Sequence, residues 1–283
     1  MRIDIGGMRM FFDVEGAKLR PDGPKMREVP TVVLLHGGPG GDHSAFKPHY
    51  GRLADIAQVV YIDHRGQGRS DRGTPEQWNL AQWADDLKAF CDATEIERPI
   101  VLGLSFGGFV AIAYATRYPD HPSKLVLCCT RAGRPDPERE AAMFERLGGK
   151  QAGIAARGFL CAENPDRDAL REFIKHCRPL YSRAPYDAEK DARQLWKLDV
   201  LSAFRKGEDY TFDYLADLAR IKCPTLVLAG EDDPITPPIY SEQIAAAIPS
   251  NLVRFERFAN AGHGIVADAP ERYFGVLREF IAA

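Results

Sequence analysis

Gly103-Leu104-Ser105-Phe106-Gly107 sets a hydroxyl nucleophile between two glycines. The stretch joins an apolar run, Ile100 to Leu104, to a helix-like run that starts at Gly107. A Ser on so sharp a strand-to-helix turn is held in a strained backbone conformation. Glycines two residues to either side relieve the crowding. The helix start brings backbone N–H groups and its dipole toward an oxyanion formed by attack on a carbonyl. Such a Ser carries out acyl transfer through a covalent ester, and it needs a base, an acid that orients the base, and oxyanion donors.

Three other stretches carry side chains of the required types, each just beyond an apolar run. Ala261-Gly262-His263-Gly264 follows Leu252 to Phe255, and a loop His there reaches a Ser with one nitrogen and a carboxylate with the other. Gly230-Glu231-Asp232-Asp233-Pro234 follows Thr225 to Ala229, so either Asp232 or Asp233 supplies that carboxylate. His36-Gly37-Gly38-Pro39-Gly40 follows Thr31 to Leu35, and its glycines let a backbone N–H face a substrate oxygen. His36 is expected to brace this loop rather than to act as a base.

The elements that position these groups are legible as runs. Thr31–Leu35, Val59–Ile62, Ile100–Leu104, Lys124–Cys129, Thr225–Ala229 and Leu252–Phe255 are short, apolar and bounded by Gly or Pro. Strands buried on both faces read this way. Helix-like segments lie between them at Leu80–Thr94, Gly107–Arg117, Ser241–Ile248 and Glu271–Ile281. The alternation implies a mainly parallel sheet with helices on both faces. Arg2–Ile5 and Met8–Val14 read as an antiparallel hairpin, and Gly16–Pro30 as a long exposed loop. Residues 131–220 contain no convincing core strand. Helical stretches at Arg139–Leu147, Asp168–Cys177 and Ala188–Leu198 make them a helical cap, inserted into a core of residues 1–130 and 221–283.

Composition narrows the function classes. The 283 residues are 45% hydrophobic and 27% charged, as in an ordinary globular chain. A net charge of −3 offers no basic excess for nucleic acid. No run has membrane-spanning length, and the first fifteen residues lack the pattern of a signal peptide. A cytoplasmic location is expected. The six cysteines form no C-x-x-C pair and no zinc-spaced cluster, so they are expected to be free thiols, Cys128 and Cys129 buried in a strand. No metal and no organic cofactor is expected.

Together these motifs resemble the α/β-hydrolase superfamily, over Met8 to Phe280 apart from the cap. The resemblance implies an α/β-hydrolase fold: an eight-stranded, mostly parallel sheet flanked by helices, with a helical cap. It implies a Ser–Asp–His chain order, which Ser105, Asp233 and His263 satisfy. The superfamily pattern G-x-x-D-x-x-x-P fits Gly230, Asp233 and Pro237, which selects Asp233 over Asp232. It implies oxyanion donors at the Phe106 N–H and at the loop after the third strand, where Gly38 is the best placed. It also implies that Asp63-His64-Arg65-Gly66-Gln67-Gly68-Arg69-Ser70, similar to the D-x-R-G-x-G-x-S loop of many members, braces the oxyanion loop.

Within the superfamily, His36-Gly37-Gly38-Pro39-Gly40 looks most like the prolyl iminopeptidases, which release an N-terminal proline from short peptides. Their elbow reads G-G-S-W-G where this chain has Gly-Leu-Ser-Phe-Gly, and Pro234 stands where some members carry a second acid. Those enzymes anchor the free amine with acids at the cap, a role open here to Glu208. The surroundings of Ser105 are equally similar to esterases, lactonases and carbon–carbon bond hydrolases, and a non-enzymatic ligand sensor is a minor alternative. The expected ligand is a small molecule or short peptide, bound under a cap whose aromatic and acidic residues, Tyr181, Trp196 and Glu208 among them, set specificity. Activity is expected to fall at acid pH as the histidine base protonates. Sequence leaves the oligomeric state open.

Overall fold

The computed structural model describes residues 1–163 and 165–283. Ten strands and nine α-helices are distinguished among these residues. The strands are β1 (Arg2–Asp4), β2 (Arg9–Glu15), β3 (Leu19–Asp22), β4 (Lys25–Glu28), β5 (Thr31–Leu35), β6 (Gln58–Ile62), β7 (Ile100–Leu104), β8 (Lys124–Cys128), β9 (Thr225–Gly230) and β10 (Val253–Phe258). The helices are α1 (Leu80–Ala93), α2 (Phe106–Arg117), α3 (Pro137–Leu160), α4 (Arg167–His176), α5 (Ala188–Arg193), α6 (Leu198–Lys206), α7 (Pro238–Ala247), α8 (Ile265–Asp268) and α9 (Pro270–Ala282).

Eight strands form one sheet in the order β1-β2-β6-β5-β7-β8-β9-β10. β1–β2 and β2–β6 pair antiparallel, and every later pairing is parallel. The central strands bury both faces, and their residues divide by alternation. Val33, Leu35, Val101, Leu125, Leu127 and Val227 join one core with α1 and α2. Val32, Leu34, Leu102, Val126, Leu226 and Leu228 join the other with α9. A period-2 split between two helical layers is what continuous apolar runs of five residues produce.

β5 is central, and the chain moves to β6 on one side of it and β7 on the other. The carboxyl ends of β5 and β7 therefore flank the point where strand order reverses. Doubly wound sheets leave a crevice there for ligands. The loops carrying Gly38 and Ser105 leave these two strands, which are in register as Leu35 opposite Gly103.

Two sequence expectations need correction. Residues 16–30 are mostly exposed, with Val29 buried, and they form the hairpin β3–β4, with Leu19 opposite Glu28 and Asp22 opposite Lys25. Its turn holds Gly23 at φ 58°, a left-handed value that glycine adopts without strain. Charged side chains on both strands masked it as a loop. The helix expected over Ala188–Leu198 is two helices, α5 and α6, broken at residues 194–197. Tertiary contact overrides helix propensity there: the Lys197 N–H donates to the Gly40 carbonyl at 2.7 Å. Among the described residues, no helix is long and apolar enough to cross a membrane.

Candidate active site

β7 ends at Leu104, and Ser105 stands at φ 56°, ψ −121°, immediately before α2. Such a conformation costs a non-glycine residue about 1–3 kcal/mol, and its surroundings must hold it. They do so through three hydrogen bonds. The Ser105 N–H donates to the Cys128 carbonyl at 2.9 Å, and the Ser105 carbonyl accepts from the Gly108 N–H and the Thr130 hydroxyl, both at 2.8 Å. The flanking glycines are required by close approach. A methyl at Gly103 would stand 2.3 Å from the Gly107 carbonyl oxygen, and one at Gly107 would stand 1.9 Å from the Leu35 oxygen.

The loop after β5 lies against this turn. A methyl at Gly37 would come 3.3 Å from the Ser105 Cβ. Among the described residues, no acceptor in the chain takes the N–H of Gly38 or of Phe106. Phe106, as the first residue of α2, has no carbonyl of its own helix to bond. The loop is tied down elsewhere. The Gly40 N–H donates to the Gln67 side-chain oxygen at 2.6 Å, which joins the loop to residues 63–70. The His64 N–H donates to His36 Nε2 at 3.3 Å, so that nitrogen accepts and Nδ1–H donates to the Gly37 carbonyl at 2.8 Å. Burial pushes the pKa values of both His36 and His64 down, which keeps these adjacent, tilted rings neutral. His36 is thus a fixed brace. Asp63 supports the same loop system by accepting from His43 and from the Arg69 N–H.

Asp233 and His263 meet beyond β9 and β10. His263 Nδ1 is 2.8 Å from Asp233 Oδ2. Asp233 is fully buried, and both its oxygens are occupied: Oδ1 accepts from the Ile235 and Thr236 N–H groups at 2.9 Å, and Oδ2 from the Thr236 hydroxyl at 2.7 Å as well as from the imidazole. This fixes the tautomer, since Nδ1 must donate to the carboxylate and Nε2 is left as the acceptor. Asp232 faces the other way, toward Arg146 at 2.8 Å and Arg183 at 3.8 Å. The geometry brings Asp233 and not its neighbour to the histidine.

Sequence reading missed the chain segment that runs on from β8. Cys128 and Thr130 hold Ser105 as described. Cys129 Sγ lies within 4.8 Å of the Asp233 oxygen and the His263 nitrogen, on a backbone with φ 47°. Burial pushes its thiol well above the ordinary value, so it packs there as a neutral group. Arg131 is sandwiched between Phe109 and Phe212, 4.6 Å from each ring, and pairs with Asp209. Nearby, the buried Glu140 on α3 accepts the Tyr240 hydroxyl at 3.0 Å, and burial pushes its pKa up to about 8. The positive φ at a cysteine was the feature that marked this segment, and no sequence pattern announces it.

The residues proposed from sequence to bind substrate are placed differently from one another. Tyr181 stands edge-on to His263, ring centroids 5.7 Å apart. Trp196 is exposed on the break between α5 and α6, next to Lys197, which bonds Gly40. Glu208 is engaged elsewhere: its carboxylate accepts the Leu80 N–H at 2.7 Å, at the start of α1.

Comparison with known proteins agrees with the fold. A family model described as the alpha/beta hydrolase fold matches residues 30–270. The proline iminopeptidase PfmaB of Pestalotiopsis fici is 32% identical over 272 residues, covering 90% of this chain and 92% of that protein. RutD of Caulobacter sp. (strain K31), to which carbamate hydrolysis is ascribed, is 29% identical over 263 residues, covering 89% and 90%. The crystal structure of the proline iminopeptidase of Mycobacterium smegmatis has a TM-score of 0.79 at 22% identity, covering all of this chain and 97% of that one.

Proposed function

This chain belongs to the α/β-hydrolase family, and from that premise we propose that it cleaves a small ester or amide through an acyl-enzyme on Ser105. The observations that carry the reading are the Asp233–His263 pair, whose tautomer leaves Nε2 free to take a proton, and a Ser held on a strained turn at the end of β7. Nε2 accepts the Ser105 hydroxyl proton as the oxygen attacks the substrate carbonyl. The Gly38 and Phe106 N–H groups stabilise the oxyanion. His263 then protonates the leaving group, and the bond to it breaks. A water molecule gives its proton to Nε2, attacks the ester, and releases the acid with Ser105 restored. Asp233 holds the ring and stabilises imidazolium.

Residues 131–220 form the cap in this reading. Their first half has a small core of its own around Phe144, Phe173 and Cys177, while Val200, Phe204 and Phe212 continue the core of one sheet face. The substrate class favoured is the N-terminal proline of a short peptide, on the strength of the glycine-rich loop and the likeness to PfmaB. A second reading, a neutral small ester, lactone or carbamate, is favoured by the engagement of Glu208 at Leu80 and by the likeness to RutD. The test is a panel of proline p-nitroanilide, short acyl esters, lactones and carbamates. At least one class should turn over, and Ser105→Ala should lose more than about a thousandfold on it. A variant that keeps more than that ends the acyl-enzyme reading.

A further inference from the structure

His263 sits on a loop whose two flanks are tied to one short stretch of the region between β8 and β9, one directly and the other through Asp268 at the end of α8. On one side the Gly264 N–H donates to the Tyr181 carbonyl at 3.1 Å. On the other the Gly262 N–H donates to Asp268 Oδ2 at 2.7 Å. The other oxygen of Asp268 accepts three donors from the same stretch: the N–H groups of Arg183 and Ala184, both at 2.8 Å, and the Ser182 hydroxyl. The contact is close as well as polar, since a methyl at Gly262 would stand 2.6 Å from the Tyr181 carbonyl oxygen. The Tyr181 ring then abuts the imidazole itself.

From this we infer that Asp268 is a positioning residue that locks the His263 loop to residues 181–184, so that the imidazole is in place only when this part of the cap is seated. The inference rests on His263 being the base, as proposed above. Asp268 is suited to the role because both its oxygens accept, one from each side. A carboxylate has acceptors on both oxygens and no proton to donate, which matches four donors arriving from two sides. Charge-assisted bonds of this kind are stronger than neutral ones. The loop end is held by one bond and the cap end by three, so the weak point is Gly262.

Asp268→Asn separates the two ends. The amide oxygen keeps the three donors of residues 182–184, and the amide NH2 then faces the Gly262 N–H, donor against donor. Ser182→Ala instead removes one of three bonds at the cap end and leaves the Gly262 bond intact. The experiment measures kcat, KM, the rate of inactivation by a fluorophosphonate that phosphonylates Ser105, and the melting temperature for both variants. Asp268→Asn should lower kcat and the inactivation rate together by about tenfold or more, with KM within about twofold. Ser182→Ala should lower both by a smaller factor. A purely structural role would lower the folded fraction and leave the inactivation rate of the folded enzyme unchanged, and that result overturns the inference. So does a wild-type kcat in either variant. If Asp268→Asn does not fold, Ser182→Ala alone decides by the same two rates. Labelling of the wild type at Ser105 decides the reading beneath, independently of the variant-to-wild-type ratio.

Discussion

The strand-end loops and the region between β8 and β9 solve the problem of buried polar groups in opposite ways. In the loops, Asp233 is fully buried and receives four donors within 2.9 Å. Across from them on α3, Glu140 is almost as buried and receives one, from Tyr240. Glu140, buried with a single donor, is driven toward its protonated form, whereas both Asp233 oxygens are occupied by donors. The difference teaches where the molecule invests its rigidity. The loops need glycines at positions where no methyl fits. Exposed pairs in the other region, such as Arg171 with Asp168, contribute little stability.

The largest effect expected from breaking this contrast is at Asp233. Asp233→Asn puts an amide against donors that need an acceptor, and it favours the wrong tautomer of His263. The value of kcat should fall about 10⁴-fold with the fold intact, read by steady-state kinetics on the best substrate of the panel. A loss under tenfold would mean that the dyad does not orient the base.

Glu140→Gln sharpens the contrast from the other side. The ordinary carboxyl value is 4.5, and burial raises it to about 8 in the folded chain. Below pH 4.5 both folded and unfolded chains hold the proton, and the group costs nothing. As pH rises from there toward 8, the unfolded chain gives up its proton and the folded one keeps it. The unfolded state binds fewer protons, so stability declines with pH across this window and levels off above it. The decline amounts to a few kcal/mol at about 1.4 kcal/mol per unit. Gln keeps an oxygen for Tyr240 and carries no titration. The melting temperature of Glu140→Gln should match or trail the wild type near pH 4.5 and exceed it increasingly up to about pH 8. A difference that does not change with pH would show that Glu140 ionises freely.

The smallest effect is expected at Glu208. Gln retains an acceptor for the Leu80 N–H, so Glu208→Gln should shift KM for proline amides and for neutral esters alike, each within about twofold. A tenfold rise confined to amine-bearing substrates would restore the anchoring role that the sequence suggests for it, the loss being about 1.5–3 kcal/mol of charged hydrogen bonding.

What was legible in the sequence follows the same division. Gly103 and Gly107 could be read because steric exclusion leaves no other residue type, and Asp233 because Gly230, Asp233 and Pro237 resemble the family pattern. The apolar runs gave the central strands because burial on both faces admits little else. The contacts around the site were not legible. Cys129 and Thr130 look like the end of a strand, and their roles arise from where β8 lies between β7 and β9. Asp268 looks like any surface acid at a helix end until residues 182–184 are brought against it. The break at 194–197 comes from the loop after β5, more than 150 residues earlier in the chain. Such features are fixed by partners distant in sequence, which local pattern does not carry.

The account stands on a covalent bond to one oxygen. Treating the protein with a fluorophosphonate and mapping the adduct by mass spectrometry tests it directly, since the reagent phosphonylates an activated serine and fluoride leaves. One equivalent should appear, on the peptide carrying Ser105, with activity lost in step; Ser105→Ala should take up none. Full activity in an unlabelled protein, or an adduct on a different residue with Ser105 free, would contradict it.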